Sequence, residues 1–384
     1  MDGFLLLKQG NIHNAIDEEP MVADILISNG KIAKIAPVLE GKIINEAKVI
    51  EVNGRDVYPG FVEAHCHLGL DGYAVGYAGQ ESNECNDCLT PELSAVDGIN
   101  PMDFTFEQAL KAGVTCVAAG PGSSNIIGGT FCALKTYGHR IDDMLVKEKV
   151  AMKCAFGENP KNCYQKSEVY TRMTIAAKLR AMLRRAREYG RRREEPCGED
   201  VPFDEKLEAL LPVLSGEIPL KAHCHRADDM YTAIRIAREF GLRLTIDHCT
   251  DGSLIAEDLA KEGISCAVGP TFGHADKPEL LHKSFETPGI LAKAGCNVAI
   301  ITDSPVIEQR YLCLCASMAV RHGMPEFDAL KAITINAAKH VGIEDRVGSI
   351  ETGKDADILI YEGNPFSSES ALRTVIVNGE VVEI

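Results

Sequence analysis

The chain has 384 residues, 45% hydrophobic, 25% charged and 6% aromatic, with a net charge of −16 at pH 7. That length can bury a large core and suits more than one domain, and the acidic balance speaks against a general binder of nucleic acid or anionic membranes. No apolar run reaches the ~18 residues that a membrane span needs, and the start, Met1-Asp2-Gly3-Phe4-Leu5, lacks the basic residues and long apolar centre of an export signal. The 14 cysteines are therefore expected as reduced thiols of a cytoplasmic protein. Cys85-Asn-Asp-Cys88 has the spacing of a zinc or redox pair, but no second such pair answers it, so no structural zinc is expected there.

Residues 1–58 read as short strands and turns. Ala23–Ser28 and Ile32–Ala36 flank Asn29-Gly30-Lys31, and Asn-Gly between apolar runs is a strong hairpin signal. Val49–Val52, Asn53-Gly54 and Asp56–Tyr58 repeat the pattern.

From residue 59 strand-like runs alternate with helical patterns. The strand candidates are Phe61–His65, Val114–Ala119, Thr130–Lys135, Val150–Phe156, Pro219–His223, Arg243–His248, Ile264–Val268 and Asn297–Thr302, with Thr130–Lys135 the weakest. Helical patterns cover Thr105–Ala112, Thr171–Tyr189, Ala227–Phe240, Leu254–Lys261 and Pro288–Lys293, and a glycine follows each closely, as a left-handed cap requires. Eight such units predict a (β/α)8 TIM barrel over 59–344. A doubly wound sheet is the alternative, but the first strand lacks a glycine-rich phosphate turn. The arginine-rich run Arg180–Arg193 is expected to be a solvated helix face, neutralised by Glu194, Glu195, Glu199 and Asp200, with Gly198 and Pro202 in an exposed loop. Residues 326–341 are predicted helical, and turns and strands return from Gly348 to the final hairpin around Asn378-Gly379. The two β-rich ends, 1–58 and 345–384, are expected to build one small β-sandwich domain.

The chemistry gathers at strand ends. Residues i and i+2 of a strand face the same way, so His65 and His67 present two imidazoles side by side, suited to a divalent cation. Pro219-Leu-Lys-Ala-His-Cys-His225 repeats the pattern with His223 and His225; one strand ends in His248 and another in Asp303. Taken singly, each is more often a capped strand end or a hydrogen-bonded core group. Together, at the C-terminal ends of barrel strands, they predict a metal site. Lys153, inside an apolar run, is either salt-bridged or faces the metals, with a carbamylated form able to bridge two cations. His139, His282, His322 and His340 read as surface or core residues, and His274 as a loop histidine. The 69–103 and 269–290 loops are expected to choose the substrate, but carry no motif that names it. Cys66 alternates away from the metal face and is expected to pack between barrel and helices.

The HxH after the first strand, the histidines after the fifth and sixth and the aspartate after the eighth resemble the amidohydrolase superfamily. Tyr58-Pro-Gly-Phe-Val-Glu-Ala-His-Cys-His67 is similar to the family's entry into strand one, and Gly348-x4-Gly-Lys-Asp-Ala-Asp-Ile-Leu-Ile to its return to the β-domain. The resemblance spans essentially the whole chain and is greatest to the imidazolonepropionase-like and Xaa-Pro dipeptidase-like branch. Gly120-Pro-Gly-Ser123, Gly157-Glu-Asn-Pro-Lys161 and His223-Cys-His-Arg-Ala-Asp-Asp229 point to a subgroup described only as predicted amidohydrolases.

What the resemblance implies is a metal-dependent hydrolase that cleaves a C–N bond of a small amide, cyclic amide or dipeptide-like substrate by metal-activated hydroxide. It implies Zn2+, as one or two ions, with other divalent metals as alternatives. His65, His67 and Asp303 would bind the buried ion, with Asp303 also the general base. His223 and His248 would hold a second ion, His223 being preferred to His225 because it matches the family's Ala-His strand end. Lys153 matches the bridging lysine of binuclear members. His225 and Arg226 are candidates for substrate binding, Arg226 by bidentate contact with a carboxylate, against a salt bridge to Asp228 or Asp229. Deaminases of the superfamily carry a glutamate three residues after the fifth-strand histidine; position 226 is arginine, which weighs against heterocycle deamination. A metal-binding barrel without catalysis is the third reading, and Asp303, a base such a protein has no use for, speaks against it. The expected partner is a small molecule, with a homo-oligomer as an open alternative.

Overall fold

The computed structural model describes residues 3–41, 44, 46–72, 76–194 and 201–383. The chain opens with β1 (Phe4–Ile12), β2 (Met21–Ser28), β3 (Lys31–Ala36), β4 (Lys48–Glu51) and β5 (Asp56–Pro59). Then come β6 (Phe61–Cys66), β7 (Val114–Ala119), β8 (Ile127–Lys135), β9 (Leu145–Ala155), β10 (Leu220–Cys224), β11 (Leu244–His248), β12 (Ser265–Val268) and β13 (Val298–Ile300). It closes with β14 (Ile358–Glu362), β15 (Ala371–Val377) and β16 (Glu380–Val382). Two sheets result. One runs β16-β15-β14-β5-β1-β2-β3 with β4 beside β1, and the other runs β13 round to β6 in sequence order. The two ends of the chain thus share one sheet, with β14 antiparallel to β5 through Leu359↔Tyr58 and Ile360↔Val57. Its Asn-Gly turns hold both residues at positive φ (Asn29 51°, Gly30 73°; Asn378 48°, Gly379 77°), as a two-residue hairpin requires.

The second sheet is the (β/α)8 barrel, with one strand reversed. β6–β7 and β9–β13 pair in parallel, whereas β8 runs antiparallel to β7 and β9. Only residues 120–126 separate β7 from β8, too few for the dozen or more that a parallel crossover needs. Among the described residues no ladder joins β13 to β6. The seam is bridged instead by Glu63, whose carboxylate accepts from Thr302 N (3.0 Å), Thr302 Oγ1 (2.7 Å) and Gln309 Nε2 (2.8 Å), and by His67 N donating to Ser304 O (2.8 Å).

The helices cover the barrel with apolar stripes. Ala227–Phe240 buries Met230, Ala233, Ile234, Ala237 and Phe240 and stops at Gly241, φ 67°. Arg172–Glu194 lays Ile175, Leu179 and Leu183 in one core cluster with Met152, Cys154 and Leu220 of β9 and β10. At ~1.5–3 kcal/mol per buried aliphatic side chain, such stripes hold the helices on the sheet. This helix runs through Gly190 to Glu194 and does not stop at the glycine as expected; Gly190 lies where a Cβ would stand 3.0 Å from Leu211 and serves close packing. Its arginines are neutralised from other elements, Arg180 by Glu239 and Arg193 by Glu208, while the expected partners Glu195, Glu199 and Asp200, with Gly198, lie outside the described residues. The predicted helix 326–341 divides into Glu326–Ala332 and Ile335–Val341, where Thr334 Oγ1 bonds back to Leu330 O. Leu312–Arg321 is a helix that the sequence pattern does not reveal, because apolar residues lie on most of its faces and blur the period. Among the described residues no helix is long and apolar enough to cross a membrane.

Candidate metal centre

Strand alternation turns Glu63 and His65 of β6, Lys153 of β9, Lys221 and His223 of β10 and Asp247 of β11 into the barrel, where all are buried. Alternation alone would send His248 outward, since it follows Asp247. Its backbone takes φ 74° and Cys249 takes 48°, so the chain leaves the strand and the imidazole swings to the centre. Asp303 does the same at φ 54°. Left-handed backbone at non-glycine residues costs ~1–3 kcal/mol and persists where its surroundings enforce it.

The side chains converge. His65 Nε2 and His67 Nε2 each lie 3.3 Å from Asp303 Oδ1, and Lys153 Nζ is 3.4 Å from His65 Nε2. The rings of His223, His225 and His248 stand 4.3–4.8 Å apart. Two sets of donor atoms each fall within 4.8 Å of one another: His223, His225 and His248, and His65, His248 and Asp303.

Most of the outer nitrogens of these rings are hydrogen-bonded. His67 Nδ1 donates to Gly120 O (2.7 Å) and His248 Nδ1 to Gly269 O (2.8 Å), while His65 Nδ1 lies 3.0 Å from Asp247 Oδ2 in a close ionic contact that does not meet hydrogen-bond geometry. A carbonyl only accepts, so His67 and His248 carry their proton on Nδ1 and turn the lone pair of Nε2 to the centre. His223 Nδ1 meets Ser123 Oγ and His225 Nδ1 meets Thr250 Oγ1, both at 2.8 Å. The Nε2 atoms of His223 and His248 are buried without a hydrogen-bond partner. Buried lone pairs left unmet are costly, and neutral imidazoles with a carboxylate are the donor set of a divalent cation.

The electrostatics agree. Burial drives His223 and His225 well below the usual histidine range and His248 to about 3, so all three are neutral. Burial by itself would raise the Asp303 carboxyl, but His248, His65 and His67 outweigh it and hold it well below the usual range. Burial lowers Lys153 to about 8, against the pull of Asp247 and Asp303.

A cavity of about 520 Å³ opens above the centre, with His67, His223, His225 and Asp303 on its wall. The 69–103 loop contributes Asp71, Ser82 and Asn83, the 157–161 segment Asn159, and the 269–290 loop Phe272, His274, Lys277 and Lys283. His274 therefore reaches the cavity, although it reads as an ordinary loop residue. Arg226 is not brought there: it is exposed and its guanidinium grips Asp228 at 2.8 and 2.9 Å, the structural alternative to carboxylate binding. Asp228, two residues along, meets the guanidinium at the surface, and Arg226 is not among the residues that line the cavity. Cys66 is buried in the cluster with Phe106, Ala109 and Leu110, its Sγ toward Ala118 O. Cys85 is exposed and Cys88 is buried against Glu168. Asp247, Lys221 and Glu63 join the site without having been expected from the sequence; the available signal was a charged residue within an apolar strand beside a histidine.

The amidohydrolase family model matches residues 214–382. The crystal structure of an amidohydrolase from Thermotoga maritima MSB8 is 38% identical, has a TM-score of 0.95 and covers 99% of both chains. The chain belongs to the amidohydrolase family. This is a family of enzymes that hydrolyse C–N bonds and generally bind divalent metals, and the His/Asp groups of this amidohydrolase offer the donors. Curated relatives include amidohydrolase tasK of Hapsidospora irregularis, 25% identical over 93% of this chain and 39% of that protein. Imidazolonepropionase of Geobacillus kaustophilus is 26% identical over 93% of this chain and 89% of its own length. The chain spans about two-fifths to just over half of the first curated relatives it matches.

Proposed function

We propose that this amidohydrolase cleaves a C–N bond of a small amide, cyclic amide or dipeptide-like substrate with the help of one or two divalent ions, zinc first among them. The barrel, taken as 59–344, would carry the chemistry, and the composite unit of 1–58 and 345–384 would brace it. The observation that carries the reading is the pair of orphaned Nε2 atoms, His223 and His248, beside His65, His67 and Asp303 at the floor of the cavity.

His65, His67 and Asp303 would hold one ion. His223 and His248 would hold a second, with His225 near enough to ligate in place of either. Lys153, if carbamylated, would bridge the two; unmodified, its ammonium stays beside His65. A divalent ion supplies Lewis acidity: it polarises the scissile carbonyl and lowers the pKa of the attacking water to roughly 7. Asp303 is held ionised and reaches the cavity wall, so its carboxylate can take the proton of that water and pass it to the leaving nitrogen. A cavity of about 520 Å³ suits a small molecule. His225, His274 and Asn159 line the cavity and would orient the substrate.

The deaminase reading wants a carboxylate at position 226, where an exposed arginine stands. Elemental analysis of the purified protein, with an anomalous-scattering map, counts the ions and reads the state of Lys153. A panel of amides, cyclic amides, dipeptides and heterocycles, followed by amine and ammonia release, then identifies the reaction. Asp303→Asn is expected to lower kcat/KM by ~10²–10⁴; unchanged hydrolysis of every responsive substrate sinks the assignment.

A further inference from the structure

Asp247 lies at the barrel floor with no exposed surface, and three groups divide its two oxygens. Oδ2 faces His65 Nδ1 at 3.0 Å. Oδ1 takes Lys221 Nζ at 2.7 Å and faces His340 Nε2 at 3.1 Å. His340 belongs to the helix Ile335–Val341, outside the barrel strands, and is itself buried. Its other nitrogen, Nδ1, meets Ser265 Oγ at 2.8 Å. Ser265 Oγ accepts from Asn297 Nδ2 at 2.8 Å, and that amide also donates to Asn336 O at 3.1 Å. Asn297 can only donate through Nδ2, and the Ser265 hydroxyl keeps one hydrogen and a second lone pair with which to meet His340 Nδ1. His340 Nε2 thus sits 3.1 Å from both the Asp247 carboxylate and the Lys221 ammonium, so the three side chains form one closed contact.

We propose that His340 is a positioning residue for the metal centre: with Lys221 it holds Asp247 so that Asp247 fixes the ring and tautomer of His65. The inference rests on the metal reading of the preceding subsection and extends it to a helix that packs outside the barrel strands. His65 has two nitrogens and only one can serve the ion. Asp247 Oδ2 stands 3.0 Å from Nδ1, which leaves Nε2 to face Asp303 and Lys153. A carboxylate held by one donor can swing; held by Lys221 and His340 on Oδ1, it keeps Oδ2 aimed at His65. The ammonium also bonds Ala64 O at 3.1 Å, next to His65 in the strand, so the brace grips the ligand's backbone and its ring together. Outer partners of metal-binding histidines typically govern metal affinity by 10–100-fold.

The test uses the full-length protein with its divalent ion as isolated. Metal content is counted by elemental analysis, and apparent affinity is read by competition with a chromophoric chelator, with no substrate involved. His340→Leu keeps the volume but removes both nitrogens and is expected to weaken metal binding about tenfold or more. His340→Gln retains an N–H donor toward Asp247 and is expected to bind within a few-fold of the parent. Lys339→Ala, on the exposed side of the same helix, should leave affinity unchanged. If the leucine variant does not fold, Ser265→Ala deletes one oxygen and is expected to shift affinity in the same direction. Unchanged affinity in His340→Leu, even with a lowered Tm, overturns the proposal, and so does equal loss in the leucine and glutamine variants. A parent protein that holds no divalent ion overturns the metal reading itself; a parent that holds one while Ser265→Ala and His340→Leu match it overturns the brace alone.

Discussion

Glu63 illustrates how one residue can stand in for a missing strand pairing. Its carboxylate takes the His65 N–H (3.1 Å) as well as the Thr302 and Gln309 donors, so β6 and the residues flanking Asp303 are held in register without a ladder. Burial pushes the Glu63 carboxyl up to about 7, against the lowering effect of those four bonds. Glu63→Ala strands several buried donors at ~1–3 kcal/mol each and is expected to cost on the order of 3–5 kcal/mol, read by urea denaturation. A loss below ~1 kcal/mol would mean that the seam holds without it. Arg226 gives the opposite expectation. Its pair with Asp228 is exposed, so Arg226→Ala should change stability by less than ~0.5 kcal/mol and leave KM for an identified substrate alone. A several-fold rise in KM would restore it to the binding site. At this scale the sequence made the inward His65/His67 pair legible through strand alternation. It could not reveal which charged residue meets which, because Asp247's partners come from positions 65, 221 and 340.

Among the elements, the segment Gly353-Lys-Asp-Ala-Asp357 before β14 ties the two sheets together. Lys135, at the end of β8 and 2% exposed, sits 2.6 Å from Asp357 and 3.1 Å from Asp355. Thr115 of β7 donates to Asp357, and Arg346 and Lys31 both meet Asp355. The reversal of β8 is what brings Lys135 to this end of the barrel. Burial alone would raise the Asp355 carboxyl, but Arg346, Lys135 and Lys31 hold it down at about 2. A depressed carboxylate contributes stability that is complete above its ordinary value, near 4, and is lost as pH falls through about 2. The parent should therefore lose stability steeply between pH 4 and 2. Asp355→Asn should be less stable at pH 7 and flatter over that window, as followed by circular dichroism. Parallel curves for the two proteins would remove Asp355 from the acid transition. The motif was readable as a return to β-structure; its role as a clamp was not, since Lys135 lies more than 200 positions earlier in the chain.

Across the whole molecule the β-sheet of the chain ends is part of the barrel's core. Leu359, Tyr361, Val375 and Val377 share one cluster with Phe61, Phe106 and Leu110. A fragment of residues 59–344 would expose that apolar surface, and it is expected to bind a hydrophobic dye and aggregate, measured by fluorescence and light scattering. A monodisperse, dye-silent fragment would mean that the barrel stands alone. The cavity, too, is a property of the whole: loops 69–103 and 269–290 meet over strand ends distant in the chain.

The periodicities, the turns and the residues with metal-binding chemistry follow from local sequence, because these depend on neighbours a few positions away. Alternation in β6 places His65 with His67, and Asn-Gly pairs dictate hairpins whatever surrounds them. The reversal of β8, the joining of His225 with His223 and His248 while Arg226 turns to solvent, and the reach of His340 to the barrel floor emerge from the folded chain alone. Each of those outcomes depends on distances between residues far apart in the chain, and the free energy of a buried charge is set by the partner it meets after folding.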